Sequence, residues 1–384
     1  MGLGTARAIW KARPDARITV FEKEAHLGAH QSTHNSGVLH AGLYYKPGSF
    51  KARLSVRGIQ QMVAYCSAQG VAHETCGKLV VATHRDEVPR LRALEERGRA
   101  NGLAGLVRLG PDAVREREPA VSAVEALLVP EEGIVDYRGV VNALESELRA
   151  GGVSFVLGGS VQALTRRAGR WRVTSAAGEV EADLLVTCAG LHSDRVAALA
   201  GAVVATRIVP FRGEYYELAP AHRGLVRHLV YPVPDPAFPF LGVHFTRMIG
   251  GGVECGPNAV MAMAREGYTW RDWNARDLSE ALRFPGLWRF LKRHPCSSAL
   301  EVWRSLSPAA FLSTLQRLVP SLSSEMLVPG ESGVRAQAMR LDGTLVEDFD
   351  LVRQDGALHV LNAPSPAATA SLAIGEYVAS ELLS

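Results

Sequence analysis

Two histidines and two adjacent tyrosines fall within one short polar segment of the chain, Gln31 to Tyr45. The histidines are His34 and His40. Imidazole titrates near neutral pH, so either side chain can accept or donate a proton. The small residues, hydroxyl groups and backbone amides around them suit an extended ligand that lies close to the main chain. An ordinary surface loop is the alternative interpretation of the same composition.

A helix, a strand and an acidic residue follow one another at the N-terminal end of the chain. Gly2 opens the helical stretch, the β-branched run Arg17–Phe21 predicts a strand, and Glu22 follows it directly. In dinucleotide-binding folds the third glycine of Gly-x-Gly-x-x-Gly opens a helix that holds the pyrophosphate, and an acid about 20 residues later binds the ribose. Gly2 and Glu22 have that spacing. An ordinary αβ unit has the same local pattern, so this segment alone does not decide between the two.

Two later segments place small residues where a strand meets a helix. The apolar run Val180–Thr187 predicts one strand, and Cys188-Ala189-Gly190 follows it, as at the end of a central parallel strand that delivers its backbone to a nucleotide. Near the C-terminus, Asn362–Thr369 carries two prolines and several small residues before the last predicted helix. The N-terminus of a helix favours a negatively charged group. Both segments therefore predict backbone that faces a ligand.

The spacing of apolar residues predicts the regular elements between these segments. Helical periodicity predicts helices at Phe50–Ala68 and Tyr137–Ala150, whereas the run Lys78–Thr83 is typical of a strand. After Thr206 the composition changes to strand-like, aromatic-rich segments, which marks a second domain.

The order of these elements predicts an α/β protein with two interleaved domains. Residues 1–77, 135–205 and 330–384 form the expected nucleotide-binding domain, and residues 78–134 and 206–329 form the second domain. The chain has 384 residues, of which 47% are hydrophobic and 21% charged, so it is long enough for both domains.

Bulk properties exclude several classes of protein. The net charge of +3 is too small and too dispersed to indicate nucleic acid as a partner. Five cysteines without a C-x-x-C spacing argue against a disulfide framework or a zinc site and fit a reduced compartment. No apolar run is long enough to cross a bilayer and no signal peptide is evident, so we expect a cytoplasmic protein. The excess of arginine over lysine, with many alanines, is typical of a GC-rich bacterial gene.

One stretch of the second domain suggests a different partner. Most tryptophans between residues 259 and 327 are expected in the core or at domain contacts. A peripheral contact with a membrane surface, at its inner face, is the alternative for the turn 284–294. That turn combines aromatic and basic side chains, namely Trp288, Arg289, Phe290, Lys292 and Arg293.

Six segments in this order resemble the FAD-dependent oxidoreductases of the D-amino-acid oxidase superfamily, and within it the L-2-hydroxyglutarate oxidase (dehydrogenase) family. The resemblance covers essentially the whole chain, and the second and last segments are specific to that family. The segments are Glu22-Lys23-Glu24, His34 to Tyr45, Cys188 to Asp194, Gly242 to Arg247, Ser332 to Ala336 and Asn362 to Thr369.

The resemblance implies a Rossmann-like FAD-binding domain and a substrate domain with a mixed β-sheet and helices. Relatives of this kind begin with a strand and two glycines before the position of Gly2, so the first strand is missing from the sequence and we expect upstream codons to encode it. The implied FAD-binding residues are Gly2, Glu22, Lys23, Ser32, Thr33, Asn35, Ser36, Gly37, Cys188, Ala189, Gly190, Gly333, Ser365, Ala367, Ala368 and Thr369.

The implied reaction oxidises L-2-hydroxyglutarate to 2-oxoglutarate. A hydride moves from Cα to flavin N5 while the hydroxyl group loses a proton, which His244 or His40 can accept. The substrate arginine of the family corresponds to Arg335, whose planar guanidinium matches a carboxylate in two parallel hydrogen bonds. These three residues are the candidate catalytic residues.

A five-carbon diacid needs a second cationic group, for which Arg247 is the candidate. Its offset of three from His244 places the two on opposite faces of an ideal strand, so a turn or bulge is required for both to line one site. The segment Pro210–Tyr216 supplies Arg212 as another candidate and Tyr215 as a substrate-binding residue. An internal ion pair is an equally good interpretation of Arg212.

Two alternatives remain open at this point. A related FAD-dependent oxidoreductase of glycerol 3-phosphate or of an amine would share the cofactor motifs and differ in the β-rich domain. A truncated form unable to hold FAD would have no activity. The electron acceptor, oxygen or a membrane quinone, is not decided by the sequence.

Overall fold

The computed structural model of the protein describes residues 1–235 and 242–384. Helices and mixed sheets alternate along the chain, and the predicted α/β class is confirmed. The helices are α1 (Gly2–Ala12), α2 (Phe50–Gln69), α3 (Val88–Ala100), α4 (Pro111–Arg117), α5 (Tyr137–Ala150), α6 (Ser193–Leu199), α7 (Ala275–Arg283), α8 (Pro285–Arg293), α9 (Pro295–Leu306), α10 (Pro308–Leu315) and α11 (Ser371–Leu383).

The strands belong to one large sheet and several small ones. They are β1 (Thr19–Phe21), β2 (Val38–Leu39), β3 (His73–Glu74), β4 (Lys78–Ala82), β5 (Val107–Leu109), β6 (Glu125–Val129), β7 (Gly133–Val135), β8 (Ser154–Val156), β9 (Val161–Arg167), β10 (Arg170–Ser175), β11 (Gly178–Ala182), β12 (Leu185–Thr187), β13 (Thr206–Leu218), β14 (Leu229–Pro232), β15 (His244–Arg247), β16 (Val253–Gly256), β17 (Val260–Met261), β18 (Leu327–Arg340), β19 (Asp350–Gln354) and β20 (Ala357–Asn362).

The large sheet has the strand order β13-β16-β15-β14-β4-β6-β5. Strand β17 pairs with β13 along the same edge as β16, and β18 pairs with the opposite edge of β13. Side chains alternate between the two faces of a strand. Leu79, Val230 and Phe245 therefore share the face that packs on the helical part of the second domain, together with Phe311 and Leu315 of α10. The opposite face of the same strands is turned toward the first domain.

The longest pair of strands in the sheet, β13 and β18, runs antiparallel and brings Phe211 opposite Arg335. The register shifts between Glu214 and Tyr216, which indicates a bulge at this end of the pair. Because β18 continues to Arg340, the large sheet extends past the domain boundary expected at residue 329. The division into two domains itself stays a prediction.

The small parallel sheets lie in the first domain. Strand β1 pairs with β8, and β12 pairs with β20, each in parallel. The single strand expected at Val180–Thr187 is two strands, β11 and β12, which belong to different sheets. The strand is interrupted at Asp183. The carboxylate of Asp183 accepts a hydrogen bond from Arg170 at the exposed end of the β10–β11 ladder.

Helices α7 to α10 form the helical part of the second domain. Pro285, Pro295 and Pro308 each occupy the first turn of a helix, where the missing amide hydrogen costs nothing. This helical part begins at Ala275, after β17 and a series of turns. In the two described ranges of the chain, every helix is too short or too polar to cross a membrane.

Helices α1 and α11 approach each other closely. A methyl group on Gly375 would lie 2.4 Å from the backbone carbonyl carbon of Gly4. Backbone cannot move aside as a side chain tip can, so glycine is required here.

We therefore expect Gly375→Ala to destabilise the protein by about 1–3 kcal/mol, because the added methyl group forces α1 and α11 apart. Urea unfolding measures the change. Gly224→Ala is the matched control, since nothing lies within 4 Å of its added methyl group. Equal unfolding midpoints for the two variants would contradict the packing argument.

Candidate functional site

The face of the large sheet that is turned toward the first domain is polar and buried. Lys78, at the start of β4, has no exposed surface, and its ammonium forms an ion pair with Glu132. The Lys78 Nζ also lies 4.3 Å from the centre of the Tyr231 ring and 5.2 Å from that of Tyr44. Burial lowers the pKa of Lys78, while Glu132 acts in the opposite direction. A buried cation thus lies at the centre of this face.

His40 follows β2 and lies beside this ion pair. Its Nδ1 is 3.4 Å from Lys78 Nζ and 3.6 Å from Glu132 Oε2. Its backbone amide donates to the hydroxyl group of Thr369, 3.2 Å away. Burial and the Lys78 charge lower the pKa of His40, and Glu132 opposes them. The imidazole is therefore neutral at neutral pH.

Glu132 reaches this position through the register of two short strands. Leu39 of β2 lies opposite Gly133 of β7. The next residues of the two strands, His40 and Glu132, are therefore neighbours. Burial by itself would raise the pKa of Glu132, but Lys78 and His40 outweigh it and lower the pKa to about 2.

His244 lies at the start of β15 and stacks on Tyr231, with ring centres 3.8 Å apart. Its Nδ1 donates to the carbonyl oxygen of Gly242 at 2.8 Å, which leaves the lone pair on Nε2. Burial lowers the pKa of His244 to about 3; the Gly242 carbonyl raises it, and the positive charges of Lys78 and Arg335 lower it further. The charges of His40 and Arg335 are among those that lower the pKa of His244.

Arg335 lies on β18, with its half-buried guanidinium beside the loop that follows β16. Nη1 donates to the carbonyl oxygen of Asn258 at 3.3 Å. Burial lowers the pKa of Arg335, while Tyr215 and Glu301 raise it. Burial raises the pKa of Tyr215 in turn, and the Arg335 charge opposes that shift.

A cavity of about 430 Å³ opens beside Tyr215, where the first domain meets the large sheet. His34, Tyr268 and Trp270 line it together with Ser332 of β18. Its lining includes Tyr215, whose pKa is raised by burial and lowered by the charge of Arg335, but not Arg335, His40 or His244 themselves.

Arg247 lies elsewhere. Its guanidinium forms an ion pair with Glu74 of β3. The register of β15 with β16 is continuous from His244 to Arg247, without the bulge that would bring both side chains onto one face. Arg212 is buried, forms an ion pair with Glu214 and lies against the ring of Trp270. These contacts agree with the interpretation of Arg212 as part of an internal ion pair.

The predicted FAD-binding residues come together around two helix N-termini. Gly2 opens α1 beside Cys188, which follows β12. Free amides at such a terminus favour a pyrophosphate. Glu22 follows β1 and accepts the amide hydrogen of Glu24 at 3.0 Å. Thr369 lies immediately before α11, where its hydroxyl group contacts Tyr137 at 2.8 Å.

The loop between β1 and β2 is held by its own side chains. Asn35 donates to the carbonyl oxygens of Gln31 and Ser32 and accepts the amide hydrogen of Gly37, which has a positive φ of 66°. Thr33 donates to the carbonyl oxygen of Gly28. The amides and hydroxyl groups of this loop fit the pyrophosphate and ribityl chain of a bound FAD.

Other predicted cofactor residues lie at contacts between the domains. Lys23 forms ion pairs with Glu24 and, across the domain boundary, with Glu266. Gly333 of β18 approaches the loop so closely that a methyl group there would lie 2.6 Å from the carbonyl oxygen of His34. Of the remaining predicted residues, Ser36 lies in the loop between β1 and β2, and Ala189 and Gly190 lie in the segment that follows β12. Ser365, Ala367 and Ala368 lie in the turn before α11.

Sequence reasoning missed the residues that surround His40. Lys78 carried one signal, a charged residue at the start of an otherwise apolar strand. Glu132 and Tyr231 carried none, since only the pairing of β2 with β7 and of β4 with β14 brings them to the site.

Comparison with known proteins agrees with this arrangement. A model of the family described as FAD dependent oxidoreductase matches residues 1–381. The chain is 44% identical over 383 residues to L-2-hydroxyglutarate dehydrogenase of Salmonella houtenae, which covers all of this chain and 90% of that protein. It is 40% identical over 402 residues to the mitochondrial L-2-hydroxyglutarate dehydrogenase of Bos taurus, covering all of this chain and 86% of that protein.

The fold is similar to solved structures of lower identity. L-alpha-glycerophosphate oxidase from Mycoplasma pneumoniae with FAD bound has a TM-score of 0.81 at 20% identity, over all of this chain and 92% of that chain. Glycine oxidase from Geobacillus kaustophilus has a TM-score of 0.73 at 17% identity, over 99% and 91% of the two chains. These two likenesses concern the fold alone. With the family match and the full-length relatives, the chain belongs to the FAD dependent oxidoreductases and, among them, to the L-2-hydroxyglutarate dehydrogenase family.

Proposed function

We propose that this protein oxidises L-2-hydroxyglutarate to 2-oxoglutarate with FAD as its cofactor. The observation that carries the proposal is the placement of two imidazoles on either side of one buried cation: His40 lies beside the Lys78 ammonium, and His244 stacks on Tyr231, whose ring that ammonium also contacts. The charge of the half-buried Arg335 guanidinium lowers the pKa of His244. Relatives that are more than 40% identical over the whole chain bear the name of this activity. A hydroxy acid needs these two kinds of group, one for its carboxylate and one for its hydroxyl proton.

Bound FAD supplies the acceptor for the hydride that leaves Cα. Arg335 binds the carboxylate next to Cα, because its two parallel N–H groups match two carboxylate oxygens and fix the direction of the molecule. Its partial burial strengthens this contact, since water competes less for a partly buried charge. Tyr215, close to Arg335, is placed to contact the same carboxylate.

His40 is the proposed base for the hydroxyl proton. A neutral imidazole carries a positive charge after it accepts the proton. His40 has a carboxylate, Glu132, 3.6 Å from its ring to stabilise that charge. His244 is surrounded by the cationic groups of Lys78 and Arg335, and burial lowers its pKa to about 3, so it remains neutral and serves as a hydrogen-bonding partner.

Arg247 is not assigned to the distal carboxylate, because its guanidinium pairs with Glu74 and its side chain lies on the opposite face of β15 from His244.

The substrate assignment predicts a sharp preference among hydroxy acids. Anaerobic mixing of the FAD-loaded protein with L-2-hydroxyglutarate should bleach the flavin absorbance and yield 2-oxoglutarate. The D enantiomer should fail because it presents the hydroxyl group instead of the hydrogen atom to N5. Lactate should be much slower, since it lacks the second carboxylate and the binding contacts that this group makes. Equal rates with lactate or glycerol 3-phosphate would rule out the diacid assignment.

The role of Arg335 predicts a loss of activity without a loss of cofactor. Arg335→Lys keeps the charge but removes the two-point geometry, so kcat/KM should fall at least about tenfold, as expected for a charge-assisted hydrogen bond of roughly 1.5–3 kcal/mol. Flavin content should not change. Arg207→Lys is the control, because Arg207 is exposed on the neighbouring strand β13. Normal kinetics of the Arg335 variant would leave Arg335 a structural role only.

We further propose that α8 and α9 contact an anionic membrane surface and that a membrane quinone accepts the electrons. Two consecutive short helices expose large apolar side chains, with Trp288 56%, Trp303 60% and Leu306 64% exposed. Lys292 and Arg293 lie exposed on α8. Apolar side chains beside basic ones complement a surface of anionic headgroups over a hydrocarbon layer. Phe290, from the same predicted turn, is buried in the core and takes no part.

Sedimentation with phosphatidylglycerol vesicles tests this contact. The double variant Trp288→Ser/Trp303→Ser should bind the vesicles at least roughly tenfold more weakly, because two aromatic side chains no longer enter the interface. Trp273→Ser is the control, since Trp273 is 67% exposed but precedes these helices. Equal binding by the wild type and the double variant would exclude this surface, and faster reoxidation by oxygen than by a quinone analogue would exclude the acceptor.

A further inference from the structure

We propose that Glu132 and Lys78 are positioning residues for His40: Glu132 holds the Nδ1–H, so that Nε2 accepts the hydroxyl proton of the substrate, and Lys78 anchors the carboxylate of Glu132. The inference rests on the proposed function, in which His40 is the base. In the step it serves, the hydroxyl proton moves to Nε2, the hydride leaves Cα for FAD with its electron pair, and the carbonyl group forms.

The backbone places Glu132 where an orienting carboxylate is needed. Its Oε1 accepts the amide hydrogen of Ala41 at 3.1 Å, which ties the carboxylate to the residue next to His40. The turn is tight: a methyl group on Gly133 would lie 2.2 Å from the carbonyl oxygen of Glu74. Oε2 is therefore held on the side of the imidazole that carries Nδ1.

Two groups face Nδ1 and favour opposite tautomers of His40. The Lys78 ammonium only donates, so contact with it requires a lone pair on Nδ1 and puts the proton on Nε2. The ionised Glu132 only accepts, so contact with it puts the proton on Nδ1 and leaves Nε2 as the base. The distances of 3.4 and 3.6 Å are both longer than those of a good hydrogen bond, so a small movement decides between them.

Lys78 has stronger partners than His40. Its ammonium makes a direct ion pair with Glu132 and lies between the ring faces of Tyr44 and Tyr231. These contacts satisfy the buried charge without His40. The Nε2 atom of His40 has no hydrogen-bond partner among the described residues, which leaves it available to the substrate.

Four ionisable groups act on His40 from the elements around it. They are Lys51 of α2, Lys78 of β4, Glu132 before β7 and His244 of β15. The lysines lower the pKa of His40, and Glu132 raises it. Removal of Lys78 should therefore move the acidic limb of the pH profile to higher pH, and removal of Glu132 should move it to lower pH.

The test measures anaerobic flavin reduction by L-2-hydroxyglutarate against pH with the FAD-loaded full chain. Lys78→Met should move the acidic limb up by roughly one pH unit. Glu132→Gln should move it down and slow reduction at neutral pH by roughly tenfold to a hundredfold, because the tautomer is no longer fixed. Lys46→Met, which removes an exposed lysine, is the control and should leave the profile unchanged.

The double variant Lys78→Met/Glu132→Gln keeps the test decisive if a single variant does not fold, because it buries no unpaired charge. It should reduce flavin as slowly as Glu132→Gln while its acidic limb returns toward that of the wild type. A double variant with the wild-type rate would overturn the inference. A higher KM for the diacid in Lys78→Met with an unmoved limb would also overturn it and make Lys78 a substrate-binding residue.

His40→Asn separates this inference from the proposed function. Normal flavin reduction by His40→Asn would show that the base itself is wrongly assigned. Slow reduction by His40→Asn together with unmoved pH limbs in the Lys78 and Glu132 variants would keep His40 as the base and remove the two positioning roles.

Discussion

The alternation of side chains along β4, β14 and β15 is the constraint on which the site depends. Leu79 and Phe245 point into the apolar core of the second domain, so the adjacent Lys78 and His244 must point to the other face. A shift of register by one residue would exchange the two sets and bury the charged residues in the apolar core. The packing energy of the core therefore also fixes which groups face the first domain.

The polar face exists only because its charges are compensated. Removal of an ammonium or a carboxylate from water costs several kcal/mol for each ion, and the Lys78–Glu132 pair offsets that cost within hydrogen-bonding distance. Burial is the largest cause that keeps His40 and His244 neutral; the charge of Lys78 adds to it for both imidazoles, and that of Arg335 adds to it for His244. Neutral bases beside a buried cation suit an anionic substrate that must lose a proton.

Small residues allow the backbone segments around the site to approach one another closely. Gly333 lets the backbone of β18 approach the loop at His34, and Gly133 lets the backbone of β7 approach the carbonyl oxygen of Glu74. In the first domain, Gly4 and Gly375 bring α1 against α11, so that both helix N-termini lie near the predicted FAD residues. Larger side chains at these positions would separate the elements that carry the ligand contacts.

The sequence by itself determined the features that neighbouring residues encode. The α/β class, helices such as α5 at Tyr137–Ala150, and the family itself followed from periodicity and from contiguous motifs. The tertiary structure decided which distant side chains meet. It joined His40 to Glu132 and Lys78, and it paired Arg247 with Glu74. These contacts depend on the register between strands far apart in the chain, and that register is set by the burial of the opposite face rather than by any local pattern.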